Sequence, residues 1–309
     1  MMPQAPRIVV IGSVNMDLVA TVDRFPRAGE TTTAHELATN PGGKGANQAV
    51  AAARLGATVD LIGCVGDDGF GEQLRGSLES SGVDCRELRT VRGVSSGTAW
   101  IHVDRRGENS ITVVPGANAE VTPGQVEAAR ETIARADRLL LQLEIPLETV
   151  WAAVELAGKL SVPVVLDPAP APNAPHSRLC RVDLLTPNET EAERLVGSPG
   201  LTPREMGRVL REAGAERVVL KRGAEGALLV DETGEWEEVS AFAVDAVDST
   251  GAGDAFTAAL AVRLAAGDRL ADAVRFGCAA GALAATRHGA QQAMPSLDEV
   301  KSLLDNQSE

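Results

Sequence analysis

The chain is short of positive charge. Its 309 residues carry 29 lysines and arginines against 43 aspartates and glutamates, a formal net charge of −14. No excess cation is present to neutralise a phosphate backbone, so a nucleic-acid partner is not expected. A small anionic ligand would need local positive contacts. No apolar run approaches the ~18 residues of a membrane span, and the opening Met1–Arg7 lacks the apolar core of an export signal. The expectation is a soluble, cytoplasmic protein with no membrane partner. Cys64, Cys85, Cys180 and Cys278 form no Cys-x-x-Cys pair, and the four histidines do not cluster with them. Structural zinc and a disulfide framework are therefore disfavoured, and buried free thiols are expected. No repeat with a period on the order of 20–50 residues occurs, which removes a solenoid. No Gly/Ser linker divides the chain.

What is present is ordinary globular material, 44% hydrophobic and 23% charged. Such a length buries one large core with at most a small appendage. Arg7–Ser13 is a continuous apolar run ended by glycine and reads as a strand buried on both faces. Leu18–Val22 and Thr31–His35 are β-leaning, and residues 97–114 return to β with a turn at Arg105–Glu108. These read as strands outside the main sheet, a lid inserted as approximately 14–40 and 93–116. Asn40–Gly45 opens a helix that continues to Leu55, and Gly56 stops it. From residue 120 strands and helices alternate, with capping boxes predicted at Thr122…Gln125, Thr202…Glu205 and Ser296…Glu299. Pro168, Pro170, Pro172 and Pro175 predict a stiff loop. Alternation over this length implies a mainly parallel sheet with helices on both faces, here one α/β domain over 1–309.

Ligands of open α/β sheets bind beyond the carboxyl ends of the strands. Asn15 and Asp17 follow the first strand and, being alternate residues of an extended segment, point the same way. They suit vicinal sugar hydroxyls or an Asx turn. Gly42-Gly43-Lys44-Gly45-Ala46-Asn47 combines close backbone approach, a cation and an amide, but has neither the spacing nor the hydroxyl of a P-loop. Glu144 ends an apolar strand; Asn188, Glu189 and Glu191 start a helix, as capping residues also do. Lys221-Arg222-Gly223-Ala224-Glu225-Gly226 joins two strands and would wrap phosphates or form a plain hairpin turn. Asp248-Ser249-Thr250-Gly251-Ala252-Gly253-Asp254 is a small-residue turn feeding a helix N-terminus. Free N–H groups and the helix dipole favour an anion there, with Asp254 beside it as a base; helix capping uses the same residues.

Together these segments resemble the ribokinase family, within the PfkB class of sugar and nucleoside kinases, over nearly the whole chain and in order. Gly12–Asp17 looks like its first sugar-binding segment, Gly42–Ala49 like its glycine-pair motif, Thr186–Glu191 like its Asn-x-x-Glu motif, and Asp248–Asp254 like its anion hole and base. The resemblance implies a ribokinase-like three-layer sandwich with a small β-sheet lid. It implies ATP-dependent phosphorylation of D-ribose at the 5-hydroxyl, with deoxyribose, fructose or a nucleoside as alternative acceptors. A non-catalytic sugar sensor on the same fold would lack the base or the anion-hole glycines, and both are present. A dinucleotide-binding oxidoreductase would need a Gly-x-Gly-x-x-Gly after the first strand, which is missing.

By the same resemblance Asn15, Asp17, Gly43, Lys44, Asn47 and Glu144 would bind ribose, with Asp254 the general base. The amides of Gly251, Ala252 and Gly253 would hold the transferring phosphoryl group. Asn188, Lys221 to Gly226 and Cys278 would bind ATP. Asp248 and Thr250, with Ala284, Arg287, Gly289 and Ala293, would form a potassium site, and Glu191 would order Mg2+ through water. A homodimer clasped through the lids is also implied. The chain departs from the family at Lys221-Arg222, where Thr-Leu is common, at Cys278 in place of a frequent His, and at Gln292-Ala293 in place of Pro-Ser.

Overall fold

The computed structural model describes residues 5–172 and 177–306; the export-signal reading of Met1–Gln4 and the loop position Pro175 lie outside them. In chain order the strands are β1 (Arg7–Ile11), β2 (Asn15–Thr21), β3 (Glu36–Gly42), β4 (Thr58–Gly66), β5 (Val83–Asp84), β6 (Leu88–Val91) and β7 (Gly97–Val103). They continue as β8 (Asn109–Val114), β9 (Arg138–Leu141), β10 (Val164–Leu166), β11 (Leu184–Leu185), β12 (Arg217–Lys221), β13 (Ala227–Val230) and β14 (Trp236–Val239). The helices are α1 (Lys44–Arg54), α2 (Gly69–Ser80), α3 (Pro123–Ala128), α4 (Arg130–Ile133) and α5 (Leu147–Leu160). After them come α6 (Glu189–Val196), α7 (Pro203–Glu212), α8 (Ala252–Ala265), α9 (Leu270–Ala285) and α10 (Leu297–Asn306).

Among the described residues the large sheet runs β14-β13-β12-β11-β10-β9-β1-β4-β5, with β6 also on β4. It is parallel from β12 to β5, and the β12–β13 and β13–β14 pairs at its other end are antiparallel. Val10 lies opposite Leu61 on one side and Leu140 on the other. Ile8 and Val10 enter a core shared with α1, α8 and α9, whereas Val9 and Ile11 enter a second core under α3, α5 and α7. This two-sided burial explains why β1 shows no polar alternation, and it produces three layers.

A separate four-stranded sheet, β3-β2-β7-β8, stands apart from this sandwich. Thr31–His35, expected as a strand, is irregular; β3 occupies 36–42 instead and takes in Asn40-Pro41-Gly42, expected to begin the helix. Pro41 is tolerated because β3 is an edge strand, where its missing N–H breaks no ladder. The helix begins only at Lys44.

The boxes at Thr202 and Ser296 form. That at Thr122 forms only in half: the hydroxyl accepts from the Gln125 N–H at 3.3 Å, but the Gln125 amide instead donates to the carbonyls of Gly63 and Glu87. The helix that this box opens is broken at Ala129, between α3 and α4.

Helix α8 is buried nearly all round and packs against α9 and α1. Gly277 and Gly281, one turn apart on α9, admit this approach: a Cβ at either would stand 3.1 Å from a backbone oxygen of α8.

Candidate active site

The N-termini of α1 and α8 converge at the carboxyl edge of the large sheet. Gly43, at φ 88°, turns the chain from β3 into α1. A Cβ there would stand 2.7 Å from the Asn15 nitrogen, so glycine is required both by conformation and by space. No side chain of Gly43 can cap the helix. Glu144, at the end of β9, does so from a distance: its Oε2 accepts from the Lys44 N–H at 3.1 Å and from the Ser13 hydroxyl at 2.5 Å. Asn15 is buried, and its Oδ1 accepts from Asn118 Nδ2 at 2.6 Å. Asp17 projects beside Gly42, where any Cβ would overlap its carboxylate. Burial, and then the charges of Glu144 and Asp254, push the Asp17 carboxyl up to about 7.

Asp254, in the first turn of α8, is 5% exposed. Its Oδ2 accepts from Asn47 Nδ2 at 3.0 Å and its Oδ1 from Gln48 Nε2 at 3.1 Å. Burial raises its pKa; Lys44 and the two amide donors oppose that rise, and Asp167 adds to it. Burial alone would lower the Lys44 ammonium, but Asp254, Asp167, Glu144 and Glu191 hold it above its usual range. Lys44 is therefore a permanent cation among carboxylates. Asn47 Oδ1 is buried with no partner among the described residues, an acceptor left open to a ligand hydroxyl.

On the other side of α8 lies a cleft of about 560 Å³, mostly apolar, walled by Ala241 to Val244, Phe256, Cys278 and Ala282. Lys221, Gly223, Ala224, Gly226, Ala252 and Gly253 close its polar end. Burial pushes the Cys278 thiol up to about 12, so it acts as an apolar wall and not as a nucleophile. Arg222 and Glu225, expected with the nucleotide loop, pair with each other and do not line the cleft; Arg222 also reaches Glu189 at 3.4 Å. Asn188 and Glu191 form a full capping box at the start of α6. The Ala252 N–H is taken by Ser249 O at 3.1 Å. Among the described residues no protein acceptor takes the N–H of Gly251, Gly253 or Asp254, and these point outward as helix N-termini do.

Asp248 braces the preceding turn. Its Oδ1 accepts from the Thr250 N–H and hydroxyl, and its Oδ2 from the Gly289 N–H at 2.9 Å. Burial works against its charge, but these bonds hold its carboxyl below the ordinary range. Arg287, in the same neighbourhood, turns its guanidinium to Glu299. Gln291 is buried with neither amide atom partnered among the described residues. A carboxylate bonded to the Gly289 N–H and, two residues further on, an unpartnered amide are hard-oxygen donors with little charge, the donor chemistry that a monovalent cation takes. Among the described residues no cluster of three His, Cys, Asp or Glu is placed to hold a metal.

Three buried residues that the sequence did not flag join the site: Gln48, Gln142 and Asp167. A signal existed for Gln48, since Lys44, Asn47 and Gln48 share one face of a helix whose other residues up to Ala53 are small or apolar. Asp167 stands at a strand end, where ligands bind.

The description pfkB family carbohydrate kinase matches residues 5–297, and the chain belongs to that family. It is 42% identical over 302 residues to the ribokinase of Bacillus subtilis, covering 96% of this chain and 99% of that one. It is 37% identical over 301 residues to the deoxyribokinase of Salmonella typhi, at 96% and 98% coverage. The structure of Arabidopsis thaliana ribokinase complexed with ribose and ATP superposes with a TM-score of 0.89 at 34% identity, over 97% of this chain and 99% of that one.

Proposed function

We propose that the chain is a ribokinase, transferring the γ-phosphoryl group of ATP to the 5-hydroxyl of D-ribose. The observation that carries this reading is the place of Asp254. Its carboxylate lies between a polar cluster from β2, α1 and β9 and an apolar cleft with a cationic end. The full-length likeness to ribokinases supports the choice of sugar.

Asn15, Asp17, Gly43, Lys44, Asn47 and Glu144 hold the sugar. The adenine side of ATP fills the apolar cleft beside Cys278, and Lys221, Gly223, Ala224 and Gly226 of the following loop receive its phosphates. As the sugar oxygen bonds to phosphorus, its O–H bond breaks and the proton passes to Asp254; ADP leaves with the electron pair of the cleaved P–O bond. Asn47 and Gln48 each occupy one lone pair of Asp254, which aims the remainder at the hydroxyl. Charge gathering on the phosphoryl oxygens meets the outward N–H groups of Gly251 and Gly253 and the positive end of the α8 dipole. Magnesium held by the nucleotide, with Glu191 reaching its water, would neutralise phosphate charge. Potassium at Asp248 and Thr250, with carbonyls of Ala284, Arg287, Gly289 and Ala293, would firm the turn behind the anion hole.

The small sheet serves as a lid. Asp17, Ala99 and Val113 are opposite one another across β2, β7 and β8 and so share a face, with Val19, Ile101 and Ile111 one step along. Ile111 is 53% exposed and Val113 48%. Two copies of the chain pair through these sheets and bury that apolar face.

The testing experiment is a coupled ADP-release assay over pentoses, hexoses and nucleosides, with and without potassium. Ribose should give the highest kcat/KM. A higher value for deoxyribose would transfer the assignment to the activity of the Salmonella relative, and silence with every acceptor would overturn it.

A further inference from the structure

A connected set of buried polar groups joins the base to the nucleotide loop, its parts supplied at the ends of three strands, β9, β10 and β12, and by two helices, α1 and α8. Gln142, the residue next after β9, donates its Nε2 to Gln48 Oε1 at 2.6 Å. That bond fixes which way the Gln48 amide faces, because a flip would point its oxygen at two carboxylates. Gln48 Nε2 then divides its two hydrogens, one to Asp254 Oδ1 at 3.1 Å and one to Asp167 Oδ2 at 3.0 Å. The other oxygen of Asp167 accepts from Lys221 Nζ at 2.8 Å. Gln48, Gln142 and Asp167 are each 1% exposed or less. Gly12 leaves the space, since a Cβ there would overlap the Gln142 amide oxygen.

The far end of this chain is at the cleft. Lys221 Nζ stands 3.6 Å from where a Cβ on Gly253 would project, beside the outward amides of α8. A lysine on a flexible stem would otherwise lose freedom to hold one position; a buried carboxylate at its tip removes that freedom in advance. Asp167 in turn is not left as a lone buried charge, because Lys221 and Gln48 both satisfy it.

We propose that Gln48 and Asp167 are positioning residues that lock the catalytic base and a phosphoryl-facing cation into one unit: Gln48 orients Asp254, and Asp167 aims Lys221 at the transferring phosphoryl group. The inference rests on the kinase reading but not on the identity of the sugar. The charged groups around Asp254 are Lys44 from α1, Asp167 after β10 and Asp17 from β2, with Glu144 after β9 behind Lys44. Asp167 and Gln48 act on the base in opposite senses: the negative charge disfavours ionisation of Asp254, and the amide donor favours it.

The test is a double-mutant cycle with Lys221→Met, Asp167→Asn and the pair together, run with whichever acceptor of the panel turns over fastest. A failure of the ribose assignment thus leaves it intact. Loss of a cation from the transition state should lower kcat by about 10²-fold in Lys221→Met, with a small change in sugar KM. Asp167→Asn should lower kcat by about 10-fold or more, and the double variant should be no worse than Lys221→Met alone. Calorimetric titration gives a readout without turnover: both single variants should weaken ATP more than ADP. In the pH profile of kcat, the acid limb should move down in Asp167→Asn and up in Gln48→Met. Independent, multiplying effects of the two cycle mutations would overturn the proposal. So would equal losses for ATP and ADP, or a folded Asp167→Asn with wild-type kcat. If Gln48→Met does not fold, the cycle and the titrations still decide.

Discussion

Asn47 Nδ2 donates to Asp254 Oδ2 across 3.0 Å, joining residues 207 positions apart. The proposed base on α8 is thus held by the helix that carries Lys44 and Asn47, two of the residues proposed to bind the sugar, so one contact would align acceptor and base.

Asp254→Asn should fold as the wild type and lose about 10²-fold or more in turnover, since a positioned base contributes roughly that much. Steady-state ADP release paired with thermal melting checks both halves. Because burial raises the Asp254 pKa, and the base must be ionised, wild-type kcat should fall with decreasing pH through a limb above the ordinary carboxylate range. A well-folded variant with near-wild-type turnover would remove Asp254 from the role.

Asp17→Asn should exchange function for stability. The folded-state pKa of Asp17 is raised from 3.8 to about 7, so its ionisation opposes folding. That cost is absent below the unfolded value, grows as pH rises, and is complete above the folded one. The melting temperature of the ligand-free variant should therefore exceed that of the wild type at pH 8, with the difference vanishing toward pH 4. The ribose KM should rise at both. A constant stability difference across this range would contradict the assigned shift.

Gly43→Ala should cost on the order of 1–3 kcal/mol in urea denaturation, as a non-glycine residue in a glycine-only conformation does. The new methyl would also press on the Asn15 nitrogen, so the ribose KM should rise while the KM for ATP stays near the wild-type value. Equal loss for both substrates would show that Gly43 supports the fold alone.

Ile111→Glu places a charge on the apolar face of the small sheet. Sedimentation velocity should show a dimer for the wild type and a monomer for the variant, with little change in secondary structure. A wild-type monomer at micromolar concentration would overturn pairing through this face.

Much of this was legible beforehand. The buried run of β1, the turn before α8 and the boxes at Thr202 and Ser296 depend on local pattern and capping, and the structure forms them. The misplaced strand at Thr31–His35 shows the limit: threonine favours strands only where a partner strand is available, and β2 pairs with 36–42. Gln125 left its capping role for two carbonyls more than 35 positions away, a choice no local rule contains. The same holds for the site. Asn15, Asp17, Lys44, Asn47, Glu144 and Asp254 were marked one motif at a time, and the fold brings them together. Arg222 was marked as a phosphate contact because its charge was visible, but not Glu225 and Glu189 as its partners. Gln48, Gln142 and Asp167 escaped because their meaning lies wholly in pairings of 54 to 206 positions.

Helices α1 and α8 pack directly, and alanine is the commonest residue at the buried positions of both. The interval between the two helix axes is therefore set by the smallest side chain that can still exclude water. Selection has little freedom there: bulk added between the two helices would press them apart and lengthen the bonds from Asn47 and Gln48 to Asp254. In this molecule the dullest residues of the sequence serve as the gauge by which the reacting groups are spaced.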